Sequence, residues 1–191
     1  MNKQSISQIY TFPEKFKSYM HSLLMLDYAL CVSINHAGQH PSTKTFFRGI
    51  SRLGDGVFWY LLMAALLVLD GDNAMTPVLH MLATGLTGTL MYKWLKSKTL
   101  RPRPYEIHQD IWLSGRPLDR FSFPSGHTLH AVIFTVILGM YYPTLMLLVM
   151  PFTLLVAASR VILGLHYPSD VLAGATLGLL MAELSRLLLL N

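Results

Sequence analysis

Three stretches of this chain gather side chains that can do chemistry. "KSKTLRPRP" holds Lys96, Arg101 and Arg103, with Pro102 and Pro104 stopping a helix and leaving the arginines on an extended segment. Guanidinium groups bind phosphate oxygens bidentately, and lysine adds a point charge. "FPSGHTLHAV" holds Ser125, Gly126 and His127 just before an apolar run. A helix starting there would offer unpaired N–H groups and a positive dipole end to an anion. Gly126 would let the backbone come close, and the Ser125 hydroxyl can donate a further hydrogen bond. "SRVILGLHYPSD" holds Arg160, His166 and Asp170. Asp170 falls in the first turn of a helix opened by Pro168, where it can accept a proton from one nitrogen of His166. The other nitrogen stays free, as in an activated nucleophile or base.

Each block also has a plainer reading. Lysines and arginines beside an apolar run can snorkel to a membrane interface. Ser125 can be an N-cap with an incidental histidine, and His166 an interfacial side chain beside a capping acid. A metal site made of His127, His166 and Asp170 fits the ligand types. Lys96, Arg103 and Arg160 would surround that pocket and repel a divalent cation, so an anion site is the preferred reading.

The elements that must position these blocks are transmembrane helices. The chain has 191 residues, of which 52% are hydrophobic and only 13% charged, against about a quarter charged in a soluble domain. Mean hydropathy is +0.43. Six apolar runs, at about 20–37, 56–71, 75–95, 127–142, 144–162 and 170–190, approach the length that spans a bilayer. The fold class expected is an all-α integral membrane bundle of six spans, forming one domain over residues 1–191. With six spans the termini share one side of the membrane, and the 96–126 loop and 160–169 turn share the other. Topology alone therefore brings the three blocks to one surface.

Other features read as structure. Asp27 in the first run is expected to be paired or snorkelling. Gly85 with Gly88, and Gly174 with Gly178, let helices approach closely. Trp59, Tyr60, Tyr92, Trp94, Tyr141 and Tyr142 near span ends suit an interfacial aromatic belt. His130 is taken as structural, and Cys31 cannot form an intrachain disulfide. Residues 1–19 carry no cleavable signal-peptide pattern and suit a polar segment along the membrane surface. The net charge of +5 is concentrated near residues 93–103, beside an apolar span, so lipid headgroups or phosphate are the expected partners rather than nucleic acid. Oligomeric state is not legible.

At these positions the chain resembles the type-2 phosphatidic acid phosphatases, the lipid phosphate phosphatases that share a site with vanadium haloperoxidases and bacterial acid phosphatases. The resemblance rests on Lys96-x6-Arg103-Pro104, Pro124-Ser125-Gly126-His127 and Ser159-Arg160-x5-His166-x3-Asp170, and covers about residues 55–190. It implies that His166 attacks phosphorus to form a phosphohistidine, that Asp170 orients it, and that His127 protonates the leaving oxygen and then activates water. Lys96, Arg103, Arg160, Ser125 and backbone N–H groups near Gly126 would bind the phosphoryl oxygens, with Arg101 a secondary headgroup contact. It implies no metal and no organic cofactor. The substrate is then a membrane lipid phosphate or diphosphate. Undecaprenyl diphosphate is preferred over phosphatidylglycerophosphate, phosphatidic acid and lipid A.

Two alternatives remain open at this point: a phosphotransferase of the same family, and a non-catalytic anionic-lipid-binding protein or transporter. Sidedness is contested. Only Lys3, Lys15, Lys17 and Arg186 of the 15 basic residues fall on the terminal side, which by the positive-inside rule would put the blocks in the cytoplasm. Several of the others are assigned to phosphate. The resemblance favours a bacterial inner membrane with the site facing the periplasm.

Overall fold

The structure, a computed structural model, describes residues 14–189, all of whose regular elements are helical. They are α1 (Glu14–Ala37), α2 (Pro41–Arg52), a π-turn (Leu53–Val57), α3 (Phe58–Asp70), a 3-10 turn (Gly71–Ala74), α4 (Met75–Thr99), α5 (Pro104–Ile107), α6 (Gly126–Tyr141), α7 (Pro143–Ile162) and α8 (Pro168–Leu189). Of the N-terminal segment expected along the membrane surface, residues 1–13 lie outside the described residues.

Sequence chemistry sets the boundaries. Leu100 closes α4 in the left-handed region (φ 49°), returning its N–H to the Lys96 carbonyl, and Pro102 disfavours further helix at Arg101. Ser125 caps α6 through its side-chain oxygen. Pro143 and Pro168 open α7 and α8 from first-turn positions.

Helix α6 is the central element. Leu129, Ile133, Phe134, Ile137 and Leu138 are buried around its circumference, and it packs against α4, α7 and α8. The small residues expected to permit close approach do so. A methyl added at Gly174 would lie 2.5 Å from the Ser125 carbonyl oxygen, and one at Gly178 would lie 2.6 Å from that of Leu129. The outward faces are apolar, with Val68 82% and Leu69 84% exposed in α3 and Leu147, Leu148 and Leu188 exposed elsewhere. Such a surface belongs in lipid. Helices α1, α3, α4, α6, α7 and α8 overlap the six apolar runs, whereas α2 and α5 lie outside them. Among the described residues, three stretches are long and apolar enough to cross a membrane: Pro41–Ile107, which contains α2 to α5, Pro143–Ile162 and Pro168–Leu188. Gly126–Tyr141 is a shorter apolar helix.

Two readings change. Helix α2 was not expected, because "PSTKTFFRGISR" is too polar to register as a span; it packs on α7 and buries Ser51. Trp59 is no belt residue either: it is 1% exposed, packed against Phe134 and Phe152. Tyr92 turns inward beside His130, whereas Tyr60 and Trp94 do face outward.

Candidate active site

The end of α4, the α2–α3 turn, the start of α6 and the α7–α8 connection meet at one end of the bundle. Backbone bonds lock them: Ser125 N–H donates to the Asp170 carbonyl, and Ser114 N–H to that of Leu163. Asn35 of α1 holds the whole corner. Its amide donates to the carbonyls of Trp112 and Ile162, and its oxygen accepts from Trp112 N–H at 3.0 Å. Gly164, at φ 73°, turns the chain between α7 and His166 with Trp112 and Asn35 pressed against it.

A cavity of about 500 Å³ opens there, lined by Lys96, Arg103, Gly126, His127, Arg160 and His166. Its lower wall is apolar, from Tyr60, Leu82, Leu86 and Phe134. Leu82, Leu86, Thr89 and Lys96 follow one face of α4, so the polar end grades into a greasy groove whose Leu86 and Tyr60 are also exposed on the outer surface.

His166 sits in the α7–α8 connection and is 1% exposed. Burial, reinforced by Arg160, Arg103, Lys96 and His127, holds its imidazole well below the usual histidine range. Such an environment favours the neutral ring, the form in which an imidazole nitrogen can act as a nucleophile. Nδ1 lies 3.6 Å from Asp170 Oδ2 and has no hydrogen-bond partner. That is beyond hydrogen-bond length, so the bond anticipated from the sequence is not formed. Both carboxylate oxygens of Asp170 are already engaged: Oδ1 accepts from Arg101 Nη1 at 2.7 Å and Oδ2 from Tyr167 N–H at 2.9 Å.

Three cations ring the cavity. Lys96 Nζ donates to Asp119 Oδ1 at 2.9 Å, and Arg103 Nη2 donates to the same oxygen at 2.8 Å. Arg103 is also anchored on the Leu165 carbonyl. Arg160 of α7 is 1% exposed and bonds Ser51 through Nη1, while its Nε is buried without a partner. An unpaired guanidinium N–H in a dry site is costly unless an anion comes to it. Asp119 occupies the place of such an anion. Burial opposes its charge, but Lys96 and Arg103 prevail and hold its carboxyl below the ordinary range. His127, the second residue of α6, contacts the Asp55 carboxylate directly through Nε2.

Of the residues singled out from the sequence, the cavity thus collects Lys96, Arg103, Gly126, His127, Arg160 and His166, with Asp170 directly behind His166. Two lie elsewhere. Ser125 is fully buried, and its hydroxyl is spent on Thr128 as the α6 cap. Arg101 faces away from the cavity, bridging Asp170 to Asp27 of α1 at 2.8 Å and stacking on Tyr167. Asp27 is paired, as expected. His130 lines the cavity with its nitrogens committed to Gly126 and Thr89, in keeping with a structural role. Among the described residues, no group of three or more His, Cys, Asp or Glu side chains is arranged to hold a metal ion. Sequence reasoning missed Asp55, Asp119, Ser51 and the task of Asn35. The one available signal was Asp55, an acid between two glycines at the head of an apolar run.

A helical membrane body with a cationic, histidine-bearing cavity at one end defines the class: an integral membrane protein built to receive an anionic headgroup. The chain belongs to the PAP2 superfamily, whose profile matches residues 73–190 and so contains all three blocks. By that membership it is a lipid phosphate phosphatase. Among solved structures it is similar to Aquifex aeolicus LpxE, at 26% identity and a TM-score of 0.71, over 82% of this chain and 92% of that one. It is also similar to the first transmembrane PAP2 type phosphatidylglycerolphosphate phosphatase from Bacillus subtilis, at 28% identity and a TM-score of 0.67, over 87% of this chain and 86% of that one. No curated protein matches it.

Proposed function

We propose that the protein removes the terminal phosphate of a membrane lipid phosphate or diphosphate through a phosphohistidine on His166. The observation that carries this reading is a buried imidazole, that of His166, lining a cavity ringed by Lys96, Arg103 and Arg160. The incoming phosphoryl group displaces the Asp119 carboxylate from Lys96 and Arg103 and satisfies Arg160 Nε. The N-terminal N–H groups of α6 at Gly126 complete the cradle, held in place by the Ser125 cap. His166 Nε2 attacks phosphorus as the bond to the lipid oxygen breaks, and His127 gives that oxygen a proton. Asp170 steadies the charge on the phosphorylated ring. Water then attacks the phosphohistidine, His127 takes its proton, and inorganic phosphate leaves. No metal or organic cofactor takes part. Arg101 supports Asp170 and does not contact the headgroup.

The whole chain acts as one domain of six spans (α1, α3, α4, α6, α7 and α8) in a bacterial inner membrane, with the cavity facing the periplasm. The lipid tail enters sideways along the groove of α4, whose Leu86 and Tyr60 are exposed to the bilayer. Undecaprenyl diphosphate is the substrate placed first, ahead of phosphatidylglycerophosphate, phosphatidic acid and lipid A.

Purified protein in detergent, assayed against this panel for phosphate release, tests the reading. Release unaffected by EDTA and inhibited by vanadate, a mimic of the five-coordinate transition state, is expected. Transfer of phosphate to a second lipid without release would identify a phosphotransferase, and no turnover of any substrate would refute the phosphatase. Sidedness is read in intact cells from Arg116→Cys, an exposed position in a chain whose own Cys31 is buried. Labelling by an impermeant thiol reagent is expected; labelling only after lysis would reverse the orientation.

A further inference from the structure

We propose that Asp55 is a positioning residue for His127, forming with it a second histidine–carboxylate pair that serves the proton-transfer steps. The inference rests on the phosphatase reading above and adds to it a residue from outside the three blocks and outside the matched segment.

The pairing is a product of tertiary structure, since the two residues are 72 positions apart. Asp55 comes from the π-turn Leu53–Val57, whose backbone is shaped for the purpose. Gly56 takes φ 133°, open to glycine alone at little cost, and Gly54 sits against Val156 of α7 where a side chain would be crowded. The chain kinks at Gly56 between α2 and α3, and the kink sets the direction in which Asp55 projects. Here it swings the Asp55 carboxylate over the N-terminus of α6, where the helix dipole also welcomes a negative charge. Both Asp55 and His127 line the cavity that contains His166.

The chemistry needs such a partner. His127 must carry a positive charge before it protonates the leaving oxygen and again after it takes the proton of water. Arg160 of α7 and its own neighbour His130 act on it directly, and Lys96 of α4 and Arg103 line the same cavity. Asp119 is the other anion on the cavity wall, and it is spent on Lys96 and Arg103. An imidazolium at His127 is thus opposed by burial and by the Arg160 guanidinium, and Asp55 supplies the compensating charge by direct contact. The same contact fixes the ring. Nε2 keeps its proton on Asp55, and Nδ1 exchanges the other. In the first step the Nδ1 proton passes to the lipid oxygen as the P–O bond breaks. In the second, a proton of water returns to Nδ1 as its oxygen bonds phosphorus.

The test is a double-mutant cycle on the single-turnover rate of phosphoenzyme formation, using a lipid diphosphate and a lipid monoester with matched tails. The proteins are wild type, Asp55→Asn, Asp55→Glu, His127→Ala and Asp55→Asn/His127→Ala. A monoester expels a basic alkoxide and depends on the donated proton, whereas a diphosphate expels a far weaker base. General acid catalysis is worth about 100- to 10,000-fold. Asp55→Asn is expected to lose at least about a tenth of that range's lower bound, roughly 10-fold, on the monoester, and markedly less on the diphosphate. It should add nothing to His127→Ala, and Asp55→Glu should recover part of the monoester rate. Equal losses on both substrates, or losses that multiply in the double variant, would show a structural role and overturn the inference while leaving the phosphatase intact. A wild-type protein that forms no phosphoenzyme and releases no phosphate would bring down the phosphatase reading first.

Discussion

The site holds two histidine–aspartate pairs that differ in almost every physical respect. His166 and Asp170 are four residues apart on the turn into α8, are 1% and 0% exposed, and stand 3.6 Å apart with the carboxylate held from behind by Arg101 and Tyr167 N–H. His127 comes from α6 and Asp55 from the turn between α2 and α3; they touch directly and leave the carboxylate side chain 35% exposed. The contrast matches the two tasks proposed for them above. A nucleophile must be neutral and fixed, so burial among cations suits His166, and its acid can remain committed elsewhere until phosphorylation puts charge on the ring. A proton carrier must change charge twice per cycle, so His127 needs a partner already in contact and a site that water can reach.

The contrast can be broken most decisively at His166. His166→Ala should abolish phosphoenzyme formation with every substrate, because no covalent bond to phosphorus can form; a trapped phosphoenzyme in that variant would remove His166 from its role. His127→Ala should lose about 100- to 10,000-fold on a lipid monoester and much less on a matched diphosphate in single turnover. Equal losses would mean that leaving-group protonation is not what His127 supplies.

Next in size is the support behind the buried pair. Arg101→Ala strands Asp27 and Asp170, both nearly inaccessible, and breaking a buried ion pair costs about 3–5 kcal/mol. The Arg101 side chain is 22% exposed, so the lower end, about 3 kcal/mol, is expected from denaturant unfolding in detergent. A stability within about 0.5 kcal/mol of wild type, the range of surface substitutions, would show that Asp170 needs no cation behind it. The smallest effect concerns Asp119, which occupies the phosphate cradle between Lys96 and Arg103. Asp119→Asn should bind vanadate a few-fold more tightly, since an exposed charged competitor is worth about 1 kcal/mol or less. Weaker vanadate binding would make Asp119 a prop for the two cations and not their placeholder.

Much of this could be read from the residues alone, and the reasons for success and failure are physical. Helices α3, α4, α6 and α7 are apolar runs ended by proline, glycine or a polar loop, α8 is an apolar run opened by Pro168, and lipid leaves such runs few alternatives to a helix. Lys96, Arg103, Arg160, His127 and His166 stood out because ionisable groups at a membrane border are few and expensive. Helix α2 escaped because its burial against α7 is tertiary and its composition is that of a surface segment. Arg101 and Arg103 lie two residues apart in one tetrapeptide with near-identical surroundings. Only the presence of Asp27 and Asp170 on one side and Asp119 on the other sends them in different directions. Asp119 carries no mark in the sequence and Asp55 only its two flanking glycines, since nothing in a single chain says which basic partner will face them.

Asn35 carries one more consequence. Its single side chain ties α1 both to the 108–115 loop and to the end of α7, yet it precedes the matched segment, as do Asp27, Ser51 and Asp55. The three blocks can therefore be exchanged between relatives as intact text and still arrive without their footing. In a chimera that joins residues 73–190 of this chain to the leading helices of another member, Arg101, Arg160 and His127 would face whatever those helices present at positions 27, 51 and 55. The heritable unit of this site is wider than its signature, and grafts that respect it must begin upstream of α1's Asp27.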